Sequence, residues 1–143
     1  MARVLGLDLG ARRIGVAVTD ELGLSAHPHA TLERHGGQRD LDAIRDLVRA
    51  QGADRVVIGL PLSPEGERGR AALAAERFAE RLRAVLEVPI ELVDESFTTV
   101  EATGVLLEAD LSRKRRKQVV DRVAAALILR RWLDGRRAGG TAA

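Results

Sequence analysis

Residues 4–19, VLGLDLGARRIGVAVT, constrain the fold more than any other part of the chain, because they place an acid inside an otherwise apolar run. Residues 4–9 have the pattern of a β-strand that is covered on at least one face, and residues 14–19 can pair back on it as a hairpin. Burying a carboxylate costs several kcal/mol unless it is paired or binds a cation. Asp8 is therefore either an aspartate at a surface edge or a ligand of a metal ion.

Side chains alternate between the two faces of a strand, so Asp8 shares a face with Val4 and Gly6. Gly6, Gly10 and Gly15 leave the backbone of this hairpin unusually bare. At each position taken alone, close packing of another element is a better explanation than the approach of a ligand. The opposite face of the first strand carries three leucines: Leu5, Leu7 and Leu9.

The chain of 143 residues is long enough for one domain with a hydrophobic core. We expect this domain to span residues 1–134, and the Gly-, Ala- and Arg-rich residues 135–143 to form a disordered tail. Lys and Arg total 23 against 21 for Asp and Glu, so the net charge is only +2 and any affinity for nucleic acid must come from local basic clusters. Aromatic residues make up 2%, which argues against base stacking on aromatic platforms.

Several classes of function are excluded by what the sequence lacks. Without cysteine there are no disulfides, no thiolate chemistry and no Cys-based metal sites. Asp8, Arg12 and Arg13 interrupt any apolar segment that could serve as a signal peptide, and no apolar run approaches the length of a membrane span. We therefore expect a cytoplasmic protein.

The pattern of the whole chain predicts an α/β fold of order β-β-β-α-β-α-β-α-α, in which an antiparallel hairpin unit is joined to parallel crossovers. Pro28 marks the third strand as an edge strand. Asp40 is expected to cap the first helix, and Thr98 with Glu101 to form the capping box of the third. The remaining predicted strands are residues 24–32, 55–59 and 90–94; the predicted helices include residues 40–51, 70–86 and 112–133.

Two further acids occupy positions that need an explanation. Glu95 follows the last strand at its C-terminal tip, where open α/β sheets usually place their ligands. Asp121 lies on an apolar helix face, where a lone acid is more often hydrogen-bonded or salt-bridged than catalytic. The residues that share this face are Ala124, Ala125, Ile128 and Trp132.

Asp8, Glu95 and Asp121 come from three different elements and could meet at one point. Three carboxylates there would repel one another and raise at least one pKa, unless cations were bound among them. Mg²⁺ binds through a few carboxylates and leaves positions for water and phosphate oxygens. Two such ions can promote hydrolysis of a phosphodiester. We therefore predict Asp8, Glu95 and Asp121 as the catalytic residues and as the ligands of Mg²⁺ or Mn²⁺.

A run of five cations precedes Asp121. Basic runs are commonly solvated surface, but here they lie near the start of a helix, whose dipole favours anions, so a nearby phosphate explains them better. Arg12 and Arg13 at the hairpin tip, and Arg68 and Arg70 beside the loop of residues 60–69, are weaker candidates for nucleic-acid binding. The run consists of Arg113, Lys114, Arg115, Arg116 and Lys117.

The remaining signals are weaker still. Gly10, Thr98 and Thr99 are candidates for a supporting role near the metal and the phosphate, although capping alone explains Thr98. His27 and His29 flank Pro28, but two histidines without further ligands indicate an ordinary edge strand more than a metal site.

Four segments together resemble the YqgF, or RuvX-like, family of bacterial nucleases with an RNase H-like fold. These segments cover the chain from end to end, and their order and spacing are more specific than any one of them. The sequence departs from the family pattern at Ser96, Phe97 and Arg122, and a fourth acid cannot be assigned. The segments are LGLDLGARRIGVAVTD at 5–20, VVIGLPLSPEGERG at 56–69, LVDESFTTVEA at 92–102 and VDRVAAALILRRWL at 120–133.

The resemblance implies a five-stranded mixed sheet flanked by helices and a divalent-metal site at Asp8, Glu95 and Asp121. It also implies two substrates, which are the precursor of 16S ribosomal RNA, trimmed at its 5′ end, and the four-way DNA (Holliday) junction. An association with the ribosome and a homodimer are implied as well. The resulting hypothesis is a metal-dependent endonuclease that hydrolyses phosphodiester bonds of structured nucleic acid.

Two alternatives remain open from the sequence. Residues 8–15, DLGARRIG, also match the phosphate-binding hairpin of actin-like ATPases and sugar kinases, but these enzymes close two such domains over a nucleotide and this chain provides one. The second alternative is a non-catalytic module that binds RNA or the ribosome and in which the acids are structural.

Overall fold

The computed structural model describes residues 3–61, 69–95 and 113–138. They form five strands and three helices. The strands are β1 (Arg3–Leu9), β2 (Arg13–Thr19), β3 (Ala26–Glu33), β4 (Ala53–Pro61) and β5 (Ile90–Glu95); the helices are α1 (Gln38–Gln51), α2 (Arg70–Arg83) and α3 (Arg113–Ala138).

The strands make one mixed sheet of order β3-β2-β1-β4-β5. The first three strands pair antiparallel, whereas β4 joins β1, and β5 joins β4, in parallel. A parallel pair needs a crossover connection, and α1 and α2 provide these crossovers. The predicted α/β fold is therefore confirmed.

Each face of the sheet has its own hydrophobic core. Leu5 and Leu7 are fully buried on the face covered by α1 and α2, where they pack with Ile44 and Leu82. Val4 points to the other face, which is covered by α3. This division confirms the alternation predicted for β1, and it places Asp8 on the α3 face. The buried residues that pack with Val4 are Ala17, Val57, Ala125, Ala126, Ile128 and Leu129.

Glycines on the sheet allow α3 to lie unusually close to it. A Cβ atom at Gly6 would lie 2.4 Å from Leu129 Cγ, and one at Gly59 would lie 2.5 Å from Ile128 Cδ1. Both distances are shorter than a van der Waals contact allows, so a larger residue at either position would require the side chain of Leu129 or Ile128 to move. For Gly6, the predicted role in close packing is confirmed.

The start of α1 differs from the prediction. The helix begins at Gln38, so Asp40 lies in its first turn and is not the residue that precedes it. Its buried carboxylate accepts hydrogen bonds from the backbone N–H groups of His35, at 2.9 Å, and Gly36, at 3.0 Å. Asp40 thus fixes the loop before the helix. Gly52, with φ of 64°, ends α1 in the left-handed conformation.

The end of α3 also differs from the prediction, since the helix continues to Ala138. Residues 135–138, which the sequence assigned to the tail, belong to this helix. The guanidinium of Arg136 lies 4.7 Å from the centre of the Trp132 ring, one helical turn earlier, and this stacking favours continuation of the helix. Residues 139–143, and the capping box of Thr98 and Glu101, lie outside the described residues.

β3 is an edge strand, as Pro28 predicted. The pairing of β2 with β3 shifts between Val16, which pairs with Ala30, and Ala17, which pairs with Pro28. His27 Nε2 and Ser25 Oγ are in hydrogen-bond contact at 2.8 Å. His29 is exposed, so both histidines lie on an ordinary edge strand.

Thr19 joins the two ends of the hairpin inside the protein. Its buried Oγ1 accepts a hydrogen bond of 2.8 Å from the backbone N–H of Val4. We expect Thr19→Val to lower the free energy of unfolding by about 1–3 kcal/mol, because it leaves that buried N–H without an acceptor. Urea unfolding would measure this change.

Thr31→Val is the matched control, since the half-buried Thr31 hydroxyl accepts a longer bond, 3.3 Å, from Arg122 Nε near solvent. Water can replace that contact, so the loss should be below about 0.5 kcal/mol. Equal losses for the two variants would contradict the importance of the Thr19 bond.

Candidate active site

Asp8 lies near the C-terminal end of β1 on the face covered by α3. It pairs with Gly15 of β2 in the antiparallel register, and its side chain is half-buried. The turn that follows is closed by Gly10, whose N–H donates a hydrogen bond of 2.8 Å to the carbonyl of Arg13. A Cβ atom at Gly10 would lie 2.8 Å from the same carbonyl oxygen, so the turn depends on glycine.

Asp121 of α3 is brought to Asp8 by a backbone contact. A Cβ atom at Gly15 would lie 1.8 Å from the carbonyl oxygen of Asp121, so the helix backbone rests directly on the strand at this residue. Since Gly15 is the strand partner of Asp8, the helix residue that contacts it lies beside Asp8. The structure therefore brings together two of the three acids that the sequence predicted to meet.

The two carboxylates repel each other. Burial, and secondly the negative charge of Asp121, raise the pKa of Asp8 from 3.8 to about 6. Asp121 itself is stabilised by a cation, since Arg13 Nε donates a hydrogen bond of 2.7 Å to its Oδ2. The site thus holds two acidic side chains and one guanidinium.

Glu95 ends β5 and is buried on the same face of the sheet. A Cβ atom at Gly59 of β4 would lie 3.6 Å from the Glu95 Cβ. Gly59 follows Ile58, which pairs with Leu7 of β1, so the strand between Asp8 and Glu95 carries no side chain here. Arg131 Nη1 lies 3.7 Å from Glu95 Oε2.

A divalent cation fits the Asp8 and Asp121 pair by its chemistry. Both side chains supply the oxygen ligands that Mg²⁺ and Mn²⁺ prefer. Burial and the charge of Asp121 raise the pKa of Asp8, and a bound cation would offset both effects. Within the described ranges, however, no three Asp, Glu or His side chains lie close enough together to enclose an ion. The described site is a pair of acids with Glu95 two strands away.

The predicted basic residues differ in their exposure and in their contacts. Arg12 at the hairpin turn, Arg70 at the start of α2 and Arg115 in the first turn of α3 are exposed. Arg13, in contrast, is engaged by Asp121. The other four residues of the basic run belong to α3. Arg68, Thr98 and Thr99 lie outside the described residues.

Sequence reasoning missed Arg34, which holds the hairpin turn behind Asp8. Its Nη1 donates a 2.7 Å hydrogen bond to the carbonyl of Gly10, and its backbone N–H donates one of 2.8 Å to the carbonyl of Arg12. The guanidinium also lies 5.4 Å from the centre of the Phe78 ring. No local pattern marks this role, because Gly10, Arg12 and Phe78 are more than twenty residues away in the chain.

A five-stranded mixed sheet of this order, with acids of β1 and α3 meeting on one face, defines a protein of RNase H-like fold. A family model described as "RuvX: Holliday junction resolvase" matches residues 2–135. The chain therefore belongs to the RuvX family of nucleases, as the four segments indicated.

Relatives of similar length support this membership. A protein of Syntrophomonas wolfei is 44% identical over 133 residues, which cover 93% of this chain and 94% of the relative. A protein of Moorella thermoacetica is 47% identical over 132 residues, which cover 92% and 94%. Both carry the name "Putative pre-16S rRNA nuclease".

Solved structures show the same fold at low sequence identity. RuvC of Thermus thermophilus, in complex with a Holliday junction substrate, superposes with a TM-score of 0.59 at 14% identity, covering 96% of this chain and 97% of that one. The Holliday junction resolvase of fowlpox virus gives a TM-score of 0.54 at 12% identity, covering 93% and 99%. These similarities establish the RNase H-like fold.

The raised pKa of Asp8 predicts a pH-dependent stability of the ion-free protein. Because the folded-state pKa, about 6, exceeds the ordinary value of 3.8, the folded protein binds the proton more tightly, and stability is lost as the pH rises from about 4 to above 6. Above that range the cost is about 3 kcal/mol. Asp8→Asn removes it.

Urea unfolding in the presence of a chelator measures this effect. Asp8→Asn should be about as stable as the original chain near pH 4, and more stable by up to about 3 kcal/mol near pH 7. A difference that does not change with pH would contradict the raised pKa.

Gly15→Ala tests the contact that brings α3 to the sheet. The added methyl must push Asp121 away, so we expect a loss of about 1–3 kcal/mol in the free energy of unfolding. We also expect the pKa of Asp8, measured by NMR titration, to fall. Gly69→Ala is the matched control, since a Cβ there meets nothing within 4 Å. An unchanged pKa of Asp8 in Gly15→Ala would argue against the contact.

Proposed function

We propose that Asp8, Asp121 and Glu95 form the catalytic centre of a metal-dependent endonuclease that hydrolyses phosphodiester bonds of structured nucleic acid. The observation that supports this most is the meeting of Asp8 and Asp121 on the α3 face, where burial and mutual repulsion raise the pKa of Asp8. Replacing one of these acids would relieve the repulsion and stabilise the fold, so the fold alone does not explain why both are present. Family membership agrees with the proposal.

In this proposal Asp8 and Asp121 hold Mg²⁺ or Mn²⁺, and Glu95 completes the acidic set. When bound, a divalent cation supplies positive charge that activates a water molecule and stabilises the leaving oxygen of a phosphodiester. The buried position of Glu95 keeps its carboxylate out of bulk solvent, which strengthens its interaction with a nearby cation. Gly59 keeps the space between the two strands free of side chains.

The basic residues of the chain are proposed to hold the nucleic-acid backbone around this centre. Arg115 is exposed in the first turn of the helix that carries Asp121, and Arg12 is exposed in the turn that follows Asp8. Both lie on elements that position a catalytic acid, so a phosphate bound there would be oriented relative to the acids. Such contacts supply affinity and orientation without reading the base sequence.

The proposed substrate is the precursor of 16S ribosomal RNA, because relatives that are 44% and 47% identical over nearly the whole chain carry that name. The four-way DNA junction is the second candidate, favoured by the description of the family model. We further propose a cytoplasmic location, an association with the ribosome, and a homodimer, whose symmetry suits a junction. None of the helices in the described ranges is long and apolar enough to cross a bilayer.

A cleavage assay with both substrates side by side, in Mg²⁺ and in Mn²⁺, tests the proposal. We expect endonucleolytic products that a chelator abolishes. Asp8→Asn and Asp121→Asn should each lower the rate on the order of a hundredfold or more, because the cation loses a charged ligand. Full activity in either variant would refute the assigned centre, and cleavage of the junction alone would reverse the choice of substrate.

Glu95 has a matched control in its neighbour. Asp94 precedes it on β5 and is exposed, whereas Glu95 is 7% exposed. Glu95→Gln should lower both the cleavage rate and the affinity for the cation, the rate by at least as large a factor. Asp94→Asn should leave both nearly unchanged. Similar effects of the two changes would mean that only the total charge of the strand end matters.

A further inference from the structure

Arg13 lies beside the acidic pair and contacts one of its members. It begins β2, and its Nε donates a hydrogen bond of 2.7 Å to Asp121 Oδ2. Both side chains are largely covered, with 26% of Arg13 and 21% of Asp121 exposed. Such a guanidinium cannot lose its proton at any physiological pH. The acidic pair therefore contains a fixed positive charge of its own.

Two acids stabilise the charge of Arg13. Asp121 is its hydrogen-bond partner, and Glu33, which is opposite Arg13 on β3, also stabilises its positive charge. Asp8 is close enough to Asp121 for the two charges to interact. In the ion-free protein Arg13 thus offsets part of the repulsion that Asp121 would otherwise exert, and it orients the Asp121 carboxylate.

A divalent cation at the Asp8 and Asp121 pair would share the Asp121 carboxylate with Arg13, whose Nε already donates to Oδ2. A guanidinium and a divalent cation also repel each other when they share one carboxylate. We propose that Arg13 is a positioning residue that acts as an internal counter-ion, which a divalent cation must displace from Asp121. This inference rests on the proposed metal site, but it makes a separate statement about affinity.

The displacement has a consequence for the ligand that follows. Once released from Asp121, the guanidinium remains at the start of β2, next to the centre, where it can bind a phosphate oxygen. A guanidinium binds phosphate through two parallel hydrogen bonds and is well suited to this exchange. Arg13 would therefore favour loading of the cation and of the nucleic acid together over loading of the cation alone.

Titration of the metal-free protein with Mn²⁺, followed by calorimetry, tests the proposal without any activity measurement. We expect Arg13→Gln to bind Mn²⁺ at least tenfold more tightly than the original chain, because the competing cation is gone. A residue that served only to hold Asp121 in place would give the opposite change. Equal or weaker binding by Arg13→Gln would overturn the proposal.

Arg12→Gln is the matched control. It removes the same charge from the preceding residue, whose side chain is exposed, so any tightening in it measures the general effect of net charge. The proposal requires the tightening in Arg13→Gln to exceed that in Arg12→Gln by at least severalfold. Comparable tightening in both would overturn it.

Asp121→Asn distinguishes failure of the proposed metal site from failure of the proposed role of Arg13. If the original chain binds Mn²⁺ and Asp121→Asn does not, the metal site stands, and the comparison of the two arginine variants decides the role of Arg13. If Asp121→Asn binds as the original chain does, or if neither binds, the metal site and the role of Arg13 are both refuted.

A measurement on the unmodified chain keeps the proposal testable if Arg13→Gln does not fold. The Nε–Hε signal of Arg13 in a ¹⁵N NMR spectrum, assigned by its loss in Arg13→Lys, should be protected from exchange with water in the ion-free protein. Saturation with Mg²⁺ should move this signal and remove its protection. A signal that stays protected and unshifted at saturation would show that the ion pair persists.

Discussion

The contact between the carbonyl of Asp121 and Gly15 is the constraint on which the rest of the site depends. A helix normally packs on a sheet at a distance set by the side chains between them. Here one strand residue has no side chain, and the helix backbone rests on the strand itself. The helix then continues along the sheet over Gly6 and Gly59. Gly15 thus fixes the depth at which α3 lies, and Gly6 and Gly59 leave room for the side chains of Leu129 and Ile128.

This packing opposes the electrostatics of the site. The same contact that buries Ile128 and Leu129 brings Asp121 to Asp8 and raises the pKa of Asp8. The apolar burial along α3 offsets the cost of holding two acids together. Arg13 reduces that cost further through its bond to Asp121. The fold can therefore keep a repulsive pair of carboxylates in place before any cation binds.

Sequence patterns could predict the fold and the face on which each acid lies, but not the contacts of these acids. The alternation of apolar residues in β1 is a local property, and so is the helical spacing of Asp121 with Ile128; both place an acid on the correct face. The engagement of Arg13 by Asp121, in contrast, joins residues that are 108 positions apart. Arg34 joins Gly10 across 24 positions. Contacts of this kind follow from tertiary packing, which local periodicity does not encode.

The irregular edge of the sheet limits how copies of the chain can associate. Among the described strands, β3 has a neighbour on one side only, and a regular edge strand would offer its free backbone groups to a strand of another molecule. Pro28 lacks an N–H group, and the register shift beside it breaks the even spacing of the remaining donors and acceptors. This edge therefore resists the addition of a sixth strand, and the sheet is protected from growing into an aggregate on that side.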